Sequence, residues 1–176
     1  MKKTIIILSI IFIAIILFAG TLYKNIDKSY LRIHIRANSN TQIDQNIKYK
    51  IKDNIVEALT PIVVECGTFD EVKNVLNDNL TLIDDIANKT LTENGFKYKA
   101  KSKLVAENFP TRKYNEFVLE EGIYDALIVE LGEAKGDNWW CVIYPPLCFT
   151  STKSGNNVVY KSRIIEMIKK WSGENY

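Results

Sequence analysis

Behind Met1-Lys2-Lys3 the chain runs from Ile5 to Ala19 with Ser9 as its only polar residue. No water-facing fold accommodates such a stretch on its surface, so it constrains everything after it. These fifteen residues, fourteen of them apolar, stand at the upper edge of a signal-peptide core. Extended through Gly20, Thr21, Leu22 and Tyr23, the stretch approaches the length of a membrane span. Ala19-Gly20-Thr21 offers small residues for cleavage without a clear small-x-small signature, leaving two readings of residues 1–23, a cleaved signal peptide or an uncleaved anchor. In both, the two lysines hold the N-terminus inside and send residues 24–176 outward as one extracytoplasmic domain.

Removing the leader changes the charge balance. The whole chain has 23 basic and 21 acidic residues, and the leader takes Lys2 and Lys3 and no acid, leaving 21 of each. A balanced exported body lacks the positive excess that nucleic-acid binding needs, so no nucleic-acid partner is expected. About 150 residues suffice for one hydrophobic core.

Apolar spacing predicts an α+β fold. In "LRIHIRA", Leu31, Ile33 and Ile35 alternate with Arg32, His34 and Arg36, the pattern of a half-buried strand. Ser39 with Gln42, or Thr41 with Asp44, can cap a helix over about residues 41–59, where Ile43, Ile47, Ile51, Ile55 and Leu59 recur every fourth residue before Pro61. Thr68 with Glu71 opens a second helix reaching about Leu91, which Asn94-Gly95 closes. Phe96, Tyr98 and Ala100 then alternate with lysines, predicting a strand toward Asn108 with one basic, solvated face. Glu121-Gly122 reads as the turn of a hairpin leading into Tyr124 to Leu131. Trp139 to Tyr144 is a further strand, and Ile164, Ile165, Ile168 and Trp171 mark a last short helix. The expected architecture is an antiparallel sheet covered on one face by two to three helices.

The stretch "GDNWWCVIYPPLCF" holds two tryptophans, two cysteines and two prolines. Pro145-Pro146 can turn the chain so that Cys141 and Cys148 form a disulfide, worth about 2–3 kcal/mol for so short a loop. Alternatively all three cysteines are small buried thiols, the expected state of Cys66. His34 is the only histidine, so zinc held by His34, Cys141 and Cys148 needs a further ligand and lacks close C-x-x-C spacing; no metal or cofactor is expected. A Cys141–His34 nucleophile pair would make an exported thiol hydrolase of the cell envelope. Glu120-Glu121 and Asp84-Asp85 are neighbours that cannot face each other across a substrate. Gly132-x-x-x-Gly136 lacks the Gly-Lys-Ser/Thr ending of a phosphate loop and reads as a turn. The tryptophans can also serve a structural or glycan-binding wall domain.

"LRIHIRANSN", "IKYKIKDNIVEAL", "FPTRKYNEF" and "GIYDALIVELGEAKGDNWWCVIYPPLCF" closely resemble the stage II sporulation protein R family over about Leu31 to Phe149. The chain departs from the family pattern at Ala134 and Asn115, where the family has glycines, and at Tyr144, where it has phenylalanine. The resemblance implies a signal and not an enzyme. It implies export from the forespore into the intermembrane space, and activation there of a membrane-embedded aspartic protease of the mother cell that processes pro-sigma-E. On that reading Trp139, Trp140, Asn138, Arg112, His34 and Asn38 are the partner-binding candidates, with one tryptophan inward and one outward because strand neighbours face opposite ways.

Overall fold

The computed structural model describes residues 12, 26–114 and 117–147. The leader, apart from position 12, and the helix expected around residues 164–171 lie outside the described residues. Among those described, no helix is long and apolar enough to cross a membrane.

The elements run β1 (Ile26–Arg36), α1 (Gln42–Val63), α2 (Phe69–Asp78), α3 (Leu80–Glu93), β2 (Ala100–Phe109), β3 (Arg112–Tyr114), β4 (Phe117–Leu119), β5 (Gly122–Leu131) and β6 (Asn138–Tyr144). This is an α+β fold whose four-stranded sheet has the order β2-β5-β1-β6. The β2–β5 and β1–β6 pairs are antiparallel. The β1–β5 pair is parallel, so the expected antiparallel sheet is mostly antiparallel with one parallel pairing. The crossover carrying the three helices and β2 separates these two strands, which permits parallel pairing.

Each helix starts as its sequence dictates. The Thr41 hydroxyl accepts the Asp44 N–H and opens α1. At α2 the Thr68 hydroxyl accepts the Glu71 N–H, while the Gly67 N–H donates to the Glu71 carboxylate at 2.7 Å, completing a capping box one residue early. Ile47, Ile51, Ile55 and Leu59 of α1 lie on the sheet with Leu31, Ile33 and Ile35 of β1 and Leu127, Val129 and Leu131 of β5. Ile43, which begins the four-residue series, is 69% exposed because it precedes the covered part of the sheet.

Three expectations change. The single helix expected from Thr68 to Leu91 is two helices divided at Asn79, whose side-chain amide donates to the Val75 carbonyl at 2.7 Å and ends α2. Pro61 does not end α1, which continues to Val63. Glu121-Gly122 is not a hairpin turn joining β4 to β5: β4 pairs with β3 in a separate two-stranded ribbon, and β5 lies between β1 and β2.

Candidate functional site

Alternation along β1 sends Leu31, Ile33 and Ile35 to the helices and Arg32, His34 and Arg36 to the other face. That second face is not simply solvated. Phe109, Tyr124, Ala126 and Ile128 form a second small core there, with Tyr30 and Trp140 packed against it. Arg32 is fully buried and His34 only 6% exposed, where a polar strand face turned to water was expected.

Aromatic rings account for the buried cation. The Arg32 guanidinium lies 4.1 Å from the Phe109 ring centroid and 4.9 Å from that of Tyr124, and its Nη2 donates to the Tyr114 hydroxyl at 2.9 Å. Its Nε and Nη1 have no hydrogen-bond acceptor among the described residues. Stacked π faces take the place of a carboxylate here.

His34 stands at the centre of this face. Its ring lies 5.2 Å from Trp140 and 5.8 Å from Phe109, and its Nδ1 is 2.8 Å from Glu107 Oε2. Burial pushes the imidazole pKa down to about 4. The neighbouring Asn138 amide and the charge of Glu130 oppose the shift, while the charges of Arg36 and Arg32 add to it. The Glu107 carboxylate beside Nδ1 is shared with Arg36 Nη2. With His34 neutral, Nδ1–H donates to Glu107 and Nε2 carries a lone pair, buried without a donor among the described residues. Arg36 also donates to Glu130 at 2.7 Å, and Lys103 joins Glu130 at 2.9 Å.

Trp140 completes the group. The Arg112 guanidinium sits 3.8 Å over its ring, so the half-buried indole is held by a cation and an imidazole. Trp139 is also half-buried but packs on the helix-side core, with Lys52 Nζ at 5.6 Å from its ring. The pair therefore faces opposite ways, as alternation requires, although neither ring is wholly inward.

Of the six partner-binding candidates, the structure brings His34, Trp140, Arg112 and Asn138 together. It places Trp139 on the opposite face and Asn38 at the end of the sheet. The Asn38 side-chain amide donates to Asp44 at 2.8 Å, and its oxygen accepts the Glu133 N–H at 2.9 Å. Its backbone carbonyl accepts from Lys135 at 3.2 Å, while Gly136 donates to Ala37 at 2.8 Å. Asn38 thus ties the 132–136 loop to the start of α1. Burial raises the Asp44 carboxyl, but hydrogen bonds from Ser39, Tyr98, Asn38 and Thr41 together hold it below its ordinary value. A Cβ at Gly136 would fall 2.2 Å from the Ser39 carbonyl oxygen, which makes glycine obligatory in this loop. These contacts give the Gly132–Gly136 spacing a structural role.

The thiol arrangement is not assembled. Cys141 pairs across the ladder with Ile33 and lies in the helix-side core, whereas His34 pairs with Trp140 and faces the other way. Cys141 is, moreover, disulfide-bonded and carries no thiol; Cys66 is a free buried cysteine whose pKa burial raises. Cys148 lies outside the described residues. Among the described residues, no group of three His, Cys, Asp or Glu side chains could hold a metal ion.

Sequence reasoning missed Arg32, Glu107 and Phe109 as parts of this face. Their signal was the odd-numbered series Lys101, Lys103, Val105, Glu107 and Phe109, which brings β2 from a solvated end to a buried one along a single face.

Residues 27–154 match the model of the family described as stage II sporulation protein R. The chain is 34% identical over 128 residues to stage II sporulation protein R of Bacillus subtilis (strain 168), an alignment covering 73% of this chain and 57% of that protein. The chain thus spans a little over half of that relative's length. No solved structure matches. The matched segment contains both faces of the sheet, the Asn38 clamp and the His34–Trp140–Arg112 group, and the chain belongs to the stage II sporulation protein R family.

Proposed function

We propose that this protein is an exported sporulation signal. Released or anchored outside the forespore membrane by its leader, it activates a membrane-embedded aspartic protease of the mother cell, which then removes the pro-sequence of sigma-E. Family membership supports a role in sporulation. The finer reading rests on one observation, the half-buried Trp140 ring held between Arg112 and His34.

A ligand activates a protease only by binding its active state more tightly than its inactive one. A pre-fixed aromatic suits that task because it buries area without losing many rotors, and Trp and Arg dominate interface energetics. Arg112 and His34 limit the rotation of Trp140 before any partner arrives. Asn138, two residues before Trp140, lies on the same side of β6.

The test is cleavage of pro-sigma-E in a non-sporulating host that expresses the protease, with and without this chain. Cleavage that appears only when the chain is exported supports the proposal. Cleavage independent of the chain, or absent although the chain is exported and folded, rejects it.

A further inference from the structure

Charge that is balanced over the body is segregated in space. Residues 42–93, which form the helix layer, hold ten acidic and five basic side chains. Residues 94–114 hold six basic side chains and one acidic. Phe96, Tyr98 and Ala100 pack toward the helix-side core, Lys101 and Lys103 project from the other face of β2, and Lys97 and Lys99 just before the strand are exposed with them. The four cover at most about 20 Å of chain. Only Lys103 among the four makes an ion pair among the described residues, to Glu130.

Lysines on an edge strand discourage pairing with a second chain, and β2 is an edge of the sheet. That accounts for Lys101 and Lys103. It does not account for Lys97 and Lys99, which precede the first paired residue, Ala100.

We propose that the row Lys97, Lys99, Lys101 is a docking surface for an anionic lipid bilayer. Ammonium groups are point charges on flexible stems, without the planar fork that fixes a single carboxylate in one geometry. Spread along one face, they match a laterally uniform plane of phosphates better than they match one acidic side chain. Each lysine brought to such a plane strengthens partitioning about fivefold. The acidic helix layer, on the opposite side of the sheet, is repelled by the same plane, so the two fields favour one orientation. In that pose Trp140 stands on β6, three strand spacings or about 14 Å from the lysine-bearing edge. The surface is separate from the Trp140 group and does not depend on the protease.

The experiment labels the full chain with an amine-reactive reagent in the presence of vesicles of phosphatidylcholine alone or mixed equally with phosphatidylglycerol. Lys89 of α3, 77% exposed, is the control within the same molecule. At low salt, Lys97, Lys99 and Lys101 are expected to react at least fivefold more slowly with the anionic vesicles, with Lys89 unchanged and the difference erased near 0.5 M salt. Equal slowing at Lys89, or no slowing at all, overturns the proposal. So does slowing that requires the solubilised protease, which would identify an acidic protein contact instead. The Lys97→Gln/Lys99→Gln/Lys101→Gln chain should lose roughly a hundredfold of its preference for anionic over neutral vesicles. Because the leader is common to both vesicle types, an unchanged ratio also overturns the proposal. None of these readouts involves pro-sigma-E, so this proposal and the signalling proposal fail separately.

Discussion

Ala134 has φ 53°, the left-handed region that an L side chain enters at a cost. Ala134→Gly is therefore expected to stabilise the protein by about 0.5–1 kcal/mol, read as a higher denaturation midpoint with an unchanged denaturant slope. At His34 the sign runs the other way with acid. Below its ordinary value of 6.5 the unfolded chain takes up a proton that native His34 refuses until about 4, so stability falls as pH drops through that window. The loss is at most about 3 kcal/mol for a shift of this size. Denaturation between pH 7 and 4 should show this slope in the parent and not in His34→Gln. Acidic loss confined to lower pH would instead point to Asp44, whose depressed carboxyl titrates below the His34 window.

At the scale of elements, local patterns carried the reading and pairing did not. The caps at Thr41 and Thr68, the α1 stripe and the strand alternation at Leu31, Ile33 and Ile35 are short-range consequences of residue type, and each was legible. Partnering of β5 with β1 was not, because no nearby residue records which strand lies beside it. Asn79 was readable only in retrospect, since an asparagine inside a periodic stretch either points outward or competes for a carbonyl. Asn38 shows the same limit: its sequence context allowed a cap, a partner contact or a clamp. As the clamp, it is expected to lose about 1–2 kcal/mol on Asn38→Ala, with faster amide exchange at Glu133 and Lys135 and little change within β2. Equal loss of protection across the sheet would argue against a local clamp.

Taken together, the described residues form a sheet with two unlike faces. The helix side is a conventional apolar core, whereas the other side buries a cation and an imidazole among aromatic rings and half-buries an indole beside them. The sequence named four members of that second face, His34, Asn138, Trp140 and Arg112, but the fully buried Arg32 was hidden because alternation marked it as solvated. Overall neutrality likewise hid the separation of an acidic helix layer from a basic edge. The fixed aromatic surface is the centre of the functional proposal, and the two tryptophans provide a matched comparison on opposite faces of one strand. The decisive measurement is pro-sigma-E cleavage in the non-sporulating host with Trp140→Ala beside Trp139→Ala, each chain's stability being measured in parallel. A folded Trp140→Ala chain should lose at least about thirtyfold in activation, the size of an interface anchor, while Trp139→Ala acts mainly on stability. Full activation by Trp140→Ala would contradict the assignment of this face.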